Sequence, residues 1–231
     1  MGIFQKTYAD ALVWKPEKGV NFIIVNKETH AVTKLPYAEA FAFYHICNSF
    51  EKDGFIHIDI PVFAQPNEQD FNLKTIIHDG LNLDKYDGFY RFSINQTTHE
   101  ISKTKLSAHF IDLERINYDQ YNGKEYQYTY GVSQLKTSNF FDRLLKIDIK
   151  NGTEQYWHEA NTIPGEPVFV PNPTGVAEDD GVLLSVLLDG QTENSVLVVL
   201  DAQSMLEIAR VYLPQHIPFG FHGQFYENLS A

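Results

Sequence analysis

The chain of 231 residues carries nine histidines and a single cysteine, Cys47. With no second thiol, neither an internal disulfide nor a cysteine cage can form, so a bound metal would have to sit on imidazoles and carboxylates. Two histidines have unusual neighbours. His45 lies in Phe43-Tyr44-His45-Ile46-Cys47-Asn48, read as a strand rich in large apolar side chains, and His222 lies in Phe219-Gly220-Phe221-His222-Gly223. The glycines flanking His222 allow close backbone approach. The two histidines are 177 positions apart, so there is no short ligand spacing such as His-Glu-x-x-His. A metal site would have to be assembled from separate strands. On local pattern alone, a histidine among aromatics also reads as an ordinary satisfied core residue, and both readings stand.

The other reactive residue types have plainer readings. Glu178-Asp179-Asp180 invites a calcium assignment but lacks the alternating oxygen ligands and terminal Glu of an EF-hand loop, so it reads as a solvated turn. His57 alternates with Phe55 and Asp59 on one strand face, where surface contact or packing suffices. His30, His78, His99, His109, His158 and His216 read as surface or loop residues, and Cys47 as a small buried hydrophobe. Trp14, Trp157 and the ladder Tyr126-Gln127-Tyr128-Thr129-Tyr130 are expected to pack between sheets.

Positioning such residues falls to short β-strands. The 17 Phe and 13 Tyr are spread over many short segments punctuated by Gly, Asn, Asp and Pro. Val20 to Val25 is one apolar run. Phe43 to Ser49 leads through Glu51-Lys52-Asp53-Gly54 into Phe55 to Ile60, a hairpin by its turn chemistry. Phe89 to Ile94 returns through Ile101 to Leu106, Leu144 to Ile149 returns through Gln155 to Trp157, and Val182 to Val211 forms a three-stranded meander. Helical periodicity is confined to Tyr37–Phe43 and the stretch around Asp70 to Ile77, and Pro61 to Tyr86 reads as a surface insertion. The hairpins begin near positions 43, 89, 143 and 182, close to the roughly 40–50 residues per blade of a β-propeller. No clean internal repeat accompanies that spacing, and a β-sandwich is nearly as compatible.

Composition narrows the partners. Apolar residues make up 43% of the chain and the formal net charge is −12 with no basic run, so a core is affordable and a nucleic-acid partner is excluded. No stretch approaches the roughly 20 apolar residues of a membrane-spanning helix. Met1-Gly2-Ile3-Phe4-Gln5-Lys6 offers neither a signal peptide nor a myristoylation site, so the sequons at Asn95, Asn151 and Asn228 read as chance. Cytoplasmic placement is expected, and peripheral contact with a membrane is compatible with these residues.

Five strings, in order, carry a resemblance: Phe43 to Glu51, Arg115-Ile116-Asn117-Tyr118, Pro164-Gly165-Glu166-Pro167-Val168-Phe169-Val170-Pro171, Glu178 to Val186, and Pro218 to Gly223. Together they resemble the carotenoid cleavage oxygenase family, most nearly its animal branch of carotene oxygenases and a retinoid isomerase, from about Tyr8 to Phe225. The resemblance implies an all-β chain, residues 1–231 forming the C-terminal part of one seven-bladed β-propeller domain. It also implies a ferrous ion, Fe(2+), held on the propeller axis by four histidines. His45 and His222 match two of them, and the strands for the other two precede anything in this sequence. Glu166 matches a carboxylate that anchors a ligand histidine. Asp112 falls where the family has Glu, one methylene longer, and Glu114 is the alternative if the alignment slips.

What the resemblance implies for function is a non-haem Fe(II) dioxygenase that cleaves a conjugated double bond of a carotenoid or apocarotenoid with O2. Ile60-Pro61-Val62-Phe63 stands where the isomerase is expected to carry paired cysteines, which favours cleavage over isomerisation. A reading from another class is a catalytically inactive propeller fragment that binds lipid or a partner. Oligomeric state is not legible in these residues.

Overall fold

The computed structural model describes residues 12–66, 73–135 and 140–227. The sequon at Asn228, the first residues of the Asp70–Ile77 stretch and the N-terminal string lie outside them. Fifteen strands are described: β1 (Val20–Val25), β2 (Val32–Tyr37), β3 (Asn48–Lys52), β4 (Phe55–Phe63), β5 (Tyr86–Asn95), β6 (Ile101–Ser107), β7 (Asp112–Arg115), β8 (Tyr128–Ser133), β9 (Arg143–Asp148), β10 (Thr153–His158), β11 (Thr162–Pro164), β12 (Val168–Pro171), β13 (Gly181–Asp189), β14 (Asn194–Asp201) and β15 (Glu207–Tyr212). Two short α-helices, α1 (Leu73–Asp79) and α2 (Tyr118–Tyr121), and a 3-10 turn at Pro16–Lys18 complete the described elements.

Chain neighbours pair antiparallel. β1 and β2 form a hairpin, β3 to β6 and β7 to β10 form two four-stranded meanders, and β11 and β12 both pair β13, which continues to β14 and β15. Successive four-stranded meanders are the organisation of propeller blades. The turns follow the chemistry of their residues: Asp53 and Gly54 adopt positive φ between β3 and β4, and Gly152 does so between β9 and β10. Asn95 spends its side-chain oxygen on the backbone N–H groups of Thr97 and Thr98, and Asn151 donates to Asp148, so both described sequon asparagines are turn residues.

The sheets pack face on face. The β1–β2 hairpin sets Phe22 and Leu35 against Ile60, Phe92 and Ile94. The first and second meanders meet through Phe89, Ile111, Leu145 and Ile147 and, beside them, through Phe50, Ile116 and Tyr126. The second meander meets the last sheet through Tyr130, Val132, Leu144 and Trp157 against Leu183, Leu187, Val198 and Leu200. A sheet covered on both faces loses the in–out alternation of a half-solvated strand. In β9, accordingly, all six residues are buried, Lys146 and Asp148 among them.

Polar residues staple the same interfaces. Asp59 on β4 is fully buried; Arg91 grips both its oxygens at 2.8 and 2.7 Å, and the Tyr126 hydroxyl donates to it at 2.7 Å from the neighbouring meander. Tyr130 reaches the Ala202 carbonyl on the other side, so the tyrosine ladder does bridge sheets. Trp157 is buried in that core, whereas Trp14 is exposed.

The structure corrects several local expectations. β2 runs to Tyr37, so that residue ends a strand and starts no helix. The Phe43–Cys47 segment is irregular, with the strand beginning only at Asn48, so His45 precedes β3 and does not lie in it. Pro61 continues β4 to Phe63, and only the residues beyond depart from the strand pattern. Glu178-Asp179-Asp180 is no solvated turn: Glu178 accepts the N–H groups of Gln127 and Tyr128, and Asp179 is buried against Lys146 at 2.7 Å. Acid residues there compensate backbone donors and a lysine that packing between sheets removes from water.

Breaking a buried ion pair leaves an uncompensated charge. Asp59→Ala strands the Arg91 guanidinium and the Tyr126 hydroxyl between two sheets, and urea denaturation should show a loss of about 3 kcal/mol; a loss under about 1 kcal/mol would mean that solvent already satisfies Arg91.

Candidate metal centre

Three sheets contribute to one small region. The Phe43–Ile46 segment leaves the edge of β4 between two attachments, an Ala42–Phe63 bridge and a hydrogen bond from the Cys47 N–H to the Asp59 carbonyl. Tyr44 packs edge-on against Phe63, and the excursion presents His45. His45 Nδ1 lies 2.7 Å from Asp112 Oδ1 at the start of β7.

His222 arrives from the irregular chain after β15. Phe219 anchors that segment against Phe140 and Phe141. His222 Nδ1 lies 2.9 Å from Glu166 Oε1, and the Gly223 N–H donates to Glu166 Oε2 at 2.7 Å. Neither flanking glycine is forced by crowding: a Cβ at Gly223 would make only an ordinary contact, 3.6 Å from Val168 Cγ2, and Gly220 faces open space.

The Glu166 position follows from its neighbours in sequence. Pro167 cannot donate to a ladder, and β11 and β12 are separated at Gly165-Glu166-Pro167. Gly165 sits so close to β13 that a Cβ would lie 2.8 Å from the Val186 carbonyl oxygen, and Ser185 Oγ donates to the Gly165 carbonyl. The break thus frees Glu166 from the ladder while Gly165 beside it stays fastened to β13 through its N–H to the Val186 carbonyl.

A bulge in β7 does the corresponding work for Asp112. Asp112 pairs with Val132 and Arg115 with Tyr130, so β7 spends one more residue than β8 between the two pairs. Leu113 takes up the irregularity with φ 52, a left-handed conformation costly for a branched side chain. Residues three apart on an unbroken strand face opposite ways; the extra residue lets Asp112 and Arg115 serve one site. Gly131 lies across from the bulge, where a Cβ would come within 2.5 Å of Ile111 Cγ1 and 2.7 Å of the Asp112 carbonyl oxygen.

Arg115 Nη2 donates to Glu166 Oε2 at 2.9 Å and to the Gly223 carbonyl at 2.5 Å. It therefore clamps both the anchor of His222 and the chain beside it. Burial alone would raise the Glu166 carboxyl; the hydrogen bonds from Arg115, His222 and the Gly223 N–H outweigh it and hold the group below the usual carboxylate range. The hydrogen bond to Asp112 raises the His45 imidazole, against the opposing effect of burial.

The imidazole centroids of His45 and His222 are 5.1 Å apart, with the ring planes at 86°. With nitrogens about 2.1 Å from one cation, centroids would be about 4.5 Å apart for an N–metal–N angle of about 90° and about 6.4 Å apart for about 180°. The observed spacing falls between these values. Each Nδ1 is taken by a carboxylate, which leaves Nε2 as the nitrogen able to meet a cation. The donor set therefore fits a divalent ion. A cavity of about 230 Å³ joins the two histidines with Glu114, Arg115 and Glu166.

Residues 2–227 match the Retinal pigment epithelial membrane protein family. The chain belongs to that family. It is 31% identical to the mitochondrial carotenoid-cleaving dioxygenase of Mustela putorius furo over an alignment that covers 94% of this chain and 48% of that protein. It is also 31% identical to the apocarotenoid-15,15'-oxygenase of Synechocystis, covering 93% of this chain and 44% of that protein. Among solved structures, cobalt-substituted Synechocystis ACO superposes with a TM-score of 0.79 at 28% identity, covering 91% of this chain and 44% of that one. The all-β, propeller-type fold class of the chain is that of these relatives, and the chain spans less than half of their length.

Within this member of the family, Asp112 and not Glu114 meets His45. Both Glu114 oxygens are shut away from solvent with no hydrogen-bond partner. Neither Arg115 as a clamp nor the state of Glu114 was visible in the sequence, where Arg115 stood only within a family string and Glu114 only as an alternative anchor. Of the remaining reactive residues, Cys47 Sγ is held by Tyr126 and Thr129, and burial pushes its thiol up, which suits a packed side chain and not a nucleophile. His57 contacts Ser93 and stacks near Phe50. His109 pairs with Glu154, and His158 with the Asp142 carbonyl.

Two measurements check this geometry. Gly131→Ala should cost about 1–3 kcal/mol by overpacking and should shift the His45 ring resonances, because its Cβ pushes on the backbone that carries Asp112; unchanged resonances would refute that coupling. Glu166, with its depressed folded value, adds stability that is complete above its unfolded value and is lost as pH falls through the folded one. Acid titration of the metal-free protein should therefore show a destabilisation below about pH 4.5 that Glu166→Gln diminishes; an identical pH dependence in both proteins would contradict it.

Proposed function

We propose that this chain is the part of a non-haem Fe(II) dioxygenase that supplies two of the iron-holding histidines, His45 and His222, for cleavage of a conjugated double bond in a carotenoid or apocarotenoid with O2. The observation that carries the reading is the convergence of two imidazoles from different sheets, each with a carboxylate on Nδ1. Bound Fe(II) supplies the activation of O2. The protein's share is to hold two neutral rings with their lone pairs inward, which requires Nδ1 to keep its proton. Asp112 and Glu166 accept that proton's hydrogen bond, and Arg115 keeps Glu166 ionised so that it can only accept.

The substrate class is supported by the names of the relatives and by the surface beside the site. Glu166 and His222 also border a mostly apolar cavity of about 320 Å³, walled by Val168, Leu184, Val186, Leu197, Phe219 and Phe221. A polyene offers no hydrogen-bonding groups along its length, so such a wall would bind it by burial alone. The single propeller domain implied for residues 1–231 belongs to the same proposal. No described helix is long and apolar enough to cross a membrane.

Iron content measured on the anaerobically loaded protein tests the assignment. His45→Ala and His222→Ala should each lose at least tenfold in Fe(II) affinity, and Asp112→Asn should lose about tenfold by disturbing the Nδ1 partner. Wild-type affinity in both alanine variants would remove the two histidines from the metal.

A further inference from the structure

A strand at the edge of a sheet presents a row of unpaired N–H and C=O groups, which proteins usually guard with charge or proline. Among the described strands that end a sheet, β2 has Lys34 and Pro36, β3 has Glu51 and Lys52, β6 has Lys103 and Lys105, and β15 has Glu207 and Arg210. β7 carries Asp112, Glu114 and Arg115, β10 carries Glu154, and β11 and β12 each end in proline. β1, Val20-Asn21-Phe22-Ile23-Ile24-Val25, has neither charge nor proline. Of the fifteen strands only β8 shares that composition, and β8 is paired on both sides. β1 therefore has the makeup of an interior strand, yet among the described residues it pairs with β2 alone.

Its surroundings agree. β1 and β2 form a two-stranded sheet where the other sheets hold four or five strands, and a hairpin by itself is marginal. One side of β1 faces the core: Phe22 is buried, and Val20 and Ile24 pack beside it in the cluster that holds Ile60, Phe92 and Ile94. That apolar floor continues to Ile56 and Ile58 on β4, which are only partly buried. On the other side of β1, Ile23 and Val25 are exposed. A second copy of the chain fits this edge poorly, because pairing β1 to β1 with both core sides matched would bring two first meanders under one sheet. A single extended segment meets no such conflict.

We propose that β1 is a receiving edge, which takes an extended segment of another polypeptide as an antiparallel third strand. Side chains alternate sides along a strand. The segment's inward positions would therefore carry branched apolar residues, its outward positions polar ones, and no proline would interrupt the ladder. The proposal involves neither His45 nor His222, so it stands or falls separately from the metal reading.

A fluorescein-labelled peptide of alternating valine and threonine, matched to β1 in length and closed by a lysine at each end, is the probe. Its anisotropy should rise saturably with the 231-residue chain. Hydrogen exchange should slow at those β1 amides that face away from β2. A proline at the centre of the peptide should weaken binding by about tenfold or more, because it removes a ladder donor. Ile23→Lys, which places a guarding charge on the exposed side of β1, should weaken binding, whereas Ile208→Lys on β15 should leave it unchanged. No saturable binding, equal binding of the proline peptide, or unchanged exchange in β1 on binding would each overturn the proposal. Slow exchange at the same amides in the dilute chain without peptide would show the edge filled from within. Protection that grows with chain concentration would show a second copy there, and either result also overturns it. If Ile23→Lys does not fold, the proline peptide decides.

Discussion

An imidazole can give a cation only one of its two nitrogens, and the arrangement of acids at this site follows from what must happen to the other. Left to water, the second nitrogen allows the ring to turn and to change tautomer; bonded to a carboxylate, it fixes both. His45 and His222 each meet that need with an acid from another element, Asp112 on β7 and Glu166 between β11 and β12. His45 precedes the first meander and Asp112 opens the second, so their contact forms only once those two sheets have docked. Asp59 with Arg91 and Tyr126, which joins the same pair of sheets, belongs to the same requirement.

The two anchors meet it differently. Glu166 is held by a guanidinium, an imidazole and a backbone N–H, a set that fixes its charge as well as its direction. Asp112 has the shorter side chain, and its reach comes from the backbone. The bulge at Leu113 stores strain in β7, and Gly131 provides the space opposite. Asp112 Oδ1 also accepts the Leu113 N–H, which ties the carboxylate to the irregular residue itself. One anchor is thus set by side-chain hydrogen bonds and the other by main-chain geometry.

Much of this was legible in the residues, for reasons that can be named. Strands and turns were visible where the chain alternates strand formers with Gly, Asn and Asp, as from Phe89 to Leu106 and from Val182 to Val211. The ends of strands were less so, because what stops β3 at Asn48 is a tertiary excursion around His45 and not a local signal. Glu178-Asp179-Asp180 looked solvated because sequence cannot show that a second sheet arrives over it with Lys146 and two unpaired backbone N–H groups. The convergence of His45 and His222 was beyond any spacing argument at 177 positions and rested on family strings alone. The bulge was invisible for a related cause: it is a property of pairing between β7 and β8, and Leu113 is an ordinary residue in an extraordinary conformation.

Charge counting around the cavity connects these features. Asp112, Glu114 and Glu166 carry three carboxylates, and Arg115 is the one cationic side chain among the cavity's lining residues. With both imidazoles neutral and all three acids ionised, the balance is two negative charges, which one divalent cation cancels. Without such an ion, a low-dielectric site would disfavour the third ionised acid most strongly where hydrogen bonds are fewest. Glu166 is therefore the acid whose ionisation the protein secures, through Arg115, and Glu114 the one it leaves uncompensated. A site meant only to pack two histidines would gain stability from an apolar residue at position 114.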